Sequence, residues 1–258
     1  MHAVLRLEQV GRHFGGLAAL NDVSFDVQQG QIVGLIGPNG AGKTTLLNLI
    51  SGLDRATSGT IRFDGHPIHT RPAHEIARMG IARTYQNIRL FGEMSVLENV
   101  LAGTHILGST GLLEALLLLR NYTAEERRLR ETARQWVERL ALDAFCDTPA
   151  GSLSYGDQRR VEIARALAAH PSLLLLDEPS AGMNAAETER LGELILALRK
   201  DGLTVLVIEH DMAFIAQVCD RVVVLNFGEM IAQGTPDEIK VDPSVIEAYL
   251  GASEAGHA

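Results

Sequence analysis

The sequence predicts an α/β fold: a parallel core sheet, a small antiparallel β subdomain beside it, and an α-helical insert interrupting it. Three observations predict this. A glycine-rich stretch, Gly37-Pro38-Asn39-Gly40-Ala41-Gly42-Lys43-Thr44, stands between an apolar strand and the opening of a helix. Downstream, short apolar runs alternate with helical segments, the order of βαβ units. Between the two, residues 90–155 carry helical periodicity with no strand among them.

Taken in order, Ala3 to Gln9 alternates loosely and reads as an edge strand, and Gly11 to Gly16 as a glycine-punctuated loop. Val23 to Val27 alternates again. Gln31 to Ile36 is a buried strand feeding the glycine-rich stretch, and Thr44 to Ile50 is the helix leaving it. Ile61 to Gly65 reads as strand and turn. These short strands make the antiparallel sheet. A short helix over Pro72 to Met79 leads into a strand at Ile81 to Thr84. Helices then follow over Val96 to Ile106, Leu112 to Arg120 and Ala124 to Leu140. In the last, Leu129, Ala133, Trp136, Val137 and Leu140 share one stripe. Opposite charges four apart, Glu126/Arg130 and Arg127/Glu131, mark its solvated face. Strands at Leu173–Leu176, Thr204–Ile208 and Val222–Leu225 alternate with helices at Ala185–Lys200 and Met212–Cys219. A hairpin near Phe227-Gly228-Glu229 and two short helices follow. The expected division is 1–88, antiparallel subdomain plus the first half of the core; 89–156, helical insert; and 157–258, the second half of the core.

The chain has 258 residues, 46% hydrophobic and 21% charged, enough for one large α/β domain or a domain with a subdomain. Its 23 basic against 32 acidic residues argue against a nucleic-acid surface as main partner. Cys146 and Cys219 lie far apart without C-x-x-C spacing and read as reduced, inert thiols, which favours a cytosolic setting. Met1 to Gln9 carries no apolar signal core. The richest apolar run, Leu112 to Leu119, is interrupted by Glu114 and falls short of the ~20 residues a bilayer requires. Any membrane role is expected to be peripheral.

The glycine-rich stretch, with Thr45 behind it, fits G-x-x-x-x-G-K-[ST] in the strand–loop–helix context that a phosphate-binding loop requires. Its glycines let backbone N–H groups wrap an anion, and the helix N-terminus adds about half a positive charge. Lys43 is expected to reach the β- and γ-phosphates and the Thr44 hydroxyl to hold Mg²⁺. This chain is therefore expected to bind a nucleoside triphosphate. The leucine run Leu173 to Leu176 ends in Asp177-Glu178-Pro179, and ligands gather at the carboxyl ends of parallel strands. Asp177 is placed to hold Mg²⁺ through water, and Glu178 to orient or deprotonate the attacking water. Ser154 is a natural N-cap for the helix bearing Val161, Ile163, Ala164, Leu167 and Ala168, and Gly156 keeps its first turn open. That makes a second helix N-terminus suited to an anion.

Phosphate loop, Ser-x-Gly-x-Gln helix cap and Asp-Glu strand end, in this order, resemble an ATP-binding-cassette nucleotide-binding subunit over essentially the whole chain. The resemblance implies a P-loop NTPase fold, ATP and Mg²⁺ as ligands, and ATP hydrolysis. It also implies a head-to-tail dimer in which Ser154, Tyr155 and Gly156 of one subunit cap the γ-phosphate held by the other. Phe14 then matches the aromatic that stacks on adenine. Gln86, in Arg83-Thr84-Tyr85-Gln86-Asn87, matches the loop glutamine that senses Mg²⁺ and joins core to insert. His210 matches the switch histidine at the γ-phosphate, and Ala181-Gly182-Met183-Asn184 the loop that communicates across the dimer. The signature departs from the usual pattern: Tyr155 and Asp157 replace Gly and Gln, and Asn184 stands where Asp is usual. Asp157 suits the helix dipole. It is expected to face away from the phosphate it would otherwise repel. The role of His13 stays open.

Arg83 to Phe91, Met94 to Val100, Leu153 to Gly156 and the ending Val245 to Gly251 resemble ATPases of bacterial branched-chain (hydrophobic) amino acid importers. Such a subunit pairs with a second ATP-binding subunit, as homo- or heterodimer, under two transmembrane permease subunits. It works at the cytoplasmic face of the inner membrane and is served indirectly by a periplasmic or extracellular binding protein. No nucleic acid is expected. Arg89 to Glu93 would lie near the groove for the membrane subunit's coupling helix. A urea or amide importer, a separate-subunit exporter and a soluble non-transport cassette stay open as alternatives. A small-molecule kinase would leave Ser154 and His210 unexplained.

Overall fold

Two long antiparallel strands, β1 (Ala3–Phe14) and β2 (Leu17–Gln28), meet at the turn through Gly15 (φ 58°). The loop expected over Gly11 to Gly16 is thus mostly strand. Gln9 and Asp22 each step into left-handed backbone (φ 51°), and the register shifts beside them. These bulges restore the inward set after each break in alternation, so pairing continues. Next come β3 (Ile32–Ile36), α1 (Lys43–Ile50), β4 (Ser58–Phe63), β5 (His66–Pro67), α2 (Ala73–Met79) and β6 (Ile81–Arg83). The computed structural model describes residues 2–107 and 120–255, and the chain divides into two units, Met1–Arg83 with Ser172–Ala258, and Thr84–Pro171.

The second unit is helical. α3 (Val96–Gly103) continues as one tight turn over Thr104–Leu107; α4 (Arg120–Arg139) and α5 (Tyr155–Leu167) follow. Of the helix expected over Leu112 to Arg120, all but Arg120 lies outside the described residues. Ser95 and Glu98 form a capping box that starts α3. Buried Asn99 stitches the preceding loop to that helix. Its amide donates to the Phe91, Met94 and Ser95 carbonyls at 3.0, 3.2 and 3.0 Å and accepts the Phe91 N–H at 2.9 Å. In α4, Ala133, Val137 and then Leu140 are buried, as the stripe predicts. A Cβ on Gly103 would stand 2.0 Å from the Arg165 carbonyl oxygen, so α3 and α5 touch backbone to backbone.

The chain then returns to the first unit with β7 (Leu173–Asp177), α6 (Ala185–Lys200), β8 (Thr204–Ile208), α7 (Met212–Val218), β9 (Arg221–Asn226), β10 (Glu229–Gly234), α8 (Pro236–Lys240) and α9 (Pro243–Ala255). One sheet is antiparallel, in the order β2-β1-β4-β5; the other runs β10-β9-β3-β8-β7-β6, parallel except for β10. Every residue of β3, β7 and β8 is buried, which only a sheet covered on both faces allows. Leu5 and Phe63 from the first sheet, Leu46 and Leu49 from α1, and Leu175 and Leu206 from the second share one core. At about 1.5–3 kcal/mol per fully buried side chain, that core holds the two sheets together. It leaves the carboxyl ends of β3, β7 and β8 as the places where polar residues emerge.

Candidate functional site

β3 delivers the chain into Gly37, Gly40 and Gly42, whose φ values of 147°, 79° and 103° lie in the region that favours glycine. A Cβ on Gly37 would stand 2.0 Å from the Leu225 carbonyl oxygen, and one on Gly42 2.7 Å from that of Ala19. Both glycines are thus required sterically as well as conformationally. Gly42 is the N-cap of α1 and brings no side chain to its first-turn N–H groups. Lys43 opens the helix, and its ammonium donates to the Gly37 and Pro38 carbonyls at 2.6 and 2.9 Å, folding back over the loop. Partial burial pushes its pKa below the usual lysine value, while the Glu178 and Asp177 carboxylates pull it back up. Asn39, Gly40 and Thr44 are exposed; Pro38 and Thr45 are half-buried and Ala41 is buried.

Asp177 ends β7, buried, with Oδ2 3.0 Å from an Arg83 guanidinium nitrogen. The same guanidinium donates to Asn48 Oδ1 at 2.8 Å and Ser51 Oγ at 3.0 Å, fastening the end of β6 to α1. Arg83 was visible in the sequence only as part of a longer text, with nothing to single it out. Glu178 follows in left-handed backbone (φ 47°), its N–H donating to the Ile208 carbonyl at 3.0 Å. A non-glycine residue held there is strained, and strain of this kind gathers at functional sites. His210 stands exposed just past β8, one residue after fully buried Glu209. The sequence reading missed Glu209; its signal was a carboxylate directly after the run Val205–Ile208 of a buried central strand. Phe14 is half-exposed at the end of β1, with the Arg12 guanidinium 4.2 Å from its ring centroid and Asp54 holding that guanidinium at 2.8 Å. One ring face is therefore covered by a cation.

In the second unit, Ser154 caps α5. Its hydroxyl accepts the Asp157 N–H at 3.2 Å and donates to Asp157 Oδ2 at 2.8 Å. Asp157 is thus part of the cap. It holds the serine hydroxyl, and its ion pair with Arg160 offsets its charge. Tyr155 is exposed and Gly156 buried. Gln86 has an exposed side chain but a fixed backbone. Fully buried Arg159 donates to the Gln86 carbonyl at 2.8 Å and the Tyr85 carbonyl at 2.6 Å. Glu162 pairs with Arg159 at 2.7 Å and accepts the Tyr85 N–H at 3.4 Å. Burial pushes the Glu162 carboxyl up, and Arg159 draws it back down. Asn184, the other departure, caps α6: Oδ1 accepts the Glu187 N–H at 3.0 Å, and Glu187 returns the bond at 2.9 Å. Asparagine caps a helix as well as aspartate does, so the lost charge leaves the local fold intact.

Hard-oxygen chemistry fits the first unit. Among the described residues no three His, Cys, Asp or Glu side chains group as a metal cage. A hydroxyl and one carboxylate are instead the sparse set that suits Mg²⁺ when phosphates and water complete its shell. The glycine-rich loop, with Gly37, Gly40 and Gly42 in backbone that favours glycine and no side chain capping the first turn of α1, suits phosphate oxygens approaching backbone N–H groups.

A family model described as ABC transporter matches residues 20–181. The chain belongs to that family. A second model, described as branched-chain amino acid ATP-binding cassette transporter, matches residues 229–255. The chain is 45% identical over 249 residues to the high-affinity branched-chain amino acid transport ATP-binding protein BraF of Pseudomonas aeruginosa, covering 96% of this chain and 98% of that one. It is 46% identical to LivG, of the same description, from Salmonella typhimurium, over 92% of this chain and 94% of that protein. The lipopolysaccharide export system ATP-binding protein LptB of Haemophilus influenzae is 36% identical over 96% of this chain and 98% of its own. Among solved structures, the ADP conformation of an ATP-binding cassette of an ABC transporter superposes with a TM-score of 0.86 at 34% identity, over 97% of this chain and 100% of that one. As a member of the family the chain is a nucleotide-binding, ATP-hydrolysing subunit with the P-loop α/β fold. Among the described residues no helix is long and apolar enough to cross a membrane.

Proposed function

We propose that this chain is the ATPase subunit that drives import of branched-chain or other hydrophobic amino acids. It would act beneath two permease subunits at the cytoplasmic face of the membrane and with a second ATP-binding subunit. The observation that carries the substrate class is the match of residues 229–255 to the branched-chain cassette model. Higher identity to the BraF and LivG importers than to the LptB exporter supports it.

In this reading Gly37 to Thr45 bind the phosphates, Phe14 offers its open face to adenine, and Lys43 leaves the loop carbonyls for the β- and γ-phosphates. Thr44 and Asp177 would hold Mg²⁺, with Gln86 sensing it; the ion supplies charge neutralisation as the γ-phosphoryl departs. Ser154, Tyr155 and Gly156 serve the γ-phosphate of the partner subunit. To do so Ser154 redirects its hydroxyl from Asp157, whose charge Arg160 already balances. Contacts from both subunits to one γ-phosphate favour the closed dimer over the open one, which is what lets ATP drive a conformational change. A related cassette in the solved set is itself a dimer. Glu178 takes or orients the proton of the attacking water, and His210 contacts the γ-phosphate.

The test is Glu178→Gln. Phosphate release should fall about 10²- to 10⁴-fold, the usual range for a general base, with ATP affinity unchanged. Purified from native membranes with Mg-ATP, that variant should bring down two polytopic membrane proteins and a second ATPase. Turnover at the wild-type rate would remove Glu178 from its role, and recovery of lipopolysaccharide-export partners would replace the importer reading.

A further inference from the structure

Glu209 is a buried carboxylate that the chemistry above leaves unused. It follows β8 directly, with no exposed surface, in the first unit together with Glu178 and His210. Oε1 accepts two bonds from Ser180, the backbone N–H at 2.8 Å and the hydroxyl at 2.6 Å. Oε2 accepts the His210 N–H at 3.2 Å and stands 3.8 Å from His210 Nδ1. Removing a carboxylate from water is costly unless hydrogen bonds replace the lost hydration, and here three donors do so. A neutral acceptor would be a cheaper way to close a strand. What the carboxylate adds is reach in two directions. One oxygen grips the turn two residues past Glu178, and the other grips the residue that carries the imidazole.

We propose that Glu209 is a positioning residue. It fastens the Glu178–Ser180 turn and His210 into a single frame, so that Glu178 and the imidazole keep a fixed separation through turnover. This rests on the roles given above to Glu178 and His210. Glu178 sits in strained backbone that its surroundings must hold in place. The Ser180 bonds to Glu209 and the bond from the Glu178 N–H to the Ile208 carbonyl anchor both sides of that strain to the same strand end. A displacement near 1 Å at reacting groups is enough to cost about 100-fold in rate.

The experiment measures phosphate release and nucleotide binding by the full-length chain, with rates expressed per bound nucleotide. Glu209→Gln keeps the shape but places an NH₂ where one acceptor oxygen was. It should lower kcat about 100-fold with KM for ATP unchanged. Ser180→Ala should lower kcat about fivefold, the size of one neutral hydrogen bond, and Ser180→Thr should restore it. The two effects should not multiply, since both variants loosen the same frame. A purely structural role would lower the melting temperature and the number of binding sites while leaving kcat per site alone. That outcome, a change confined to KM, or full multiplication of the two effects would overturn the proposal. Should Glu209→Gln not fold, the Ser180 pair decides by the same criteria. If Glu178→Gln keeps its turnover, the reading of the site has failed; if Glu178→Gln is inactive while Glu209→Gln is normal, only this inference has.

Discussion

In the first unit, Lys43, Asp177, Glu178 and His210 stand where parallel strands end; in the second, Gln86 and Ser154 are held by buried or paired charge. Hydrophobic burial fixes the first set indirectly. β3, β7 and β8 are wholly buried, and apolar but for Thr204 and the closing Asp177, so the sheet decides where the polar residues emerge. Among the described residues of its own unit, the second set has no sheet beneath it. Its frame is Arg159 and Glu162, both buried, reaching from α5 to the Tyr85 and Gln86 backbone, with Asp157 and Arg160 bracing the cap. Position by burial tolerates many apolar sequences. Position by a charge network depends on each member, because removing one partner strands the other in a dry interior.

That difference is breakable, most severely at Arg159. Arg159→Met should cost about 3–5 kcal/mol of stability in the helical unit, because Glu162 then loses its cationic partner in a dry interior. Arg159→Met with Glu162→Leu should recover most of it. Urea unfolding followed through Trp136, the chain's single tryptophan, reads this directly, since that residue lies in the second unit. A single variant as stable as wild type would show that the network is not what holds the loop. A smaller loss, about 1 kcal/mol, is expected for Ser154→Ala, which removes an N-cap, with the same fluorescence as readout. The smallest effect contrasts the two cysteines. Cys219 is buried, and its thiol pKa is pushed well above the ordinary value; Cys146 is only half-buried, with a milder rise. Native protein should therefore be alkylated at Cys146 first, and peptide mapping that found Cys219 modified earlier would contradict the tight packing assigned to the sheet.

How legible each region was in the sequence follows from the same contrast. The phosphate loop is contiguous, and its strand and helix flank it directly, so eight residues carry the whole argument. Asp177 and Glu178 were readable because they close an apolar run, and apolar runs are the strongest local signal a chain gives; His210, one residue further from its strand, was readable only through the family resemblance. Arg159 and Glu162 were not. Three apart in a charged segment, they have the spacing of an ordinary solvated pair, and only tertiary packing tells a buried pair from an exposed one. The bulged β1 was misread as strand plus loop because bulges break the alternation used to recognise strands.

Gly103 gives the helical unit a mechanical character. At Gly103 the nearest obstacle to an added side chain is the Arg165 backbone of α5, which cannot rotate aside. A joint of that kind has almost no slack, and close-packed interiors transmit strain where a loose contact would absorb it. Push on one helix and the other must travel with it. The two helices then form a stiff lever, and a single methyl group at position 103 would be a wedge at its fulcrum.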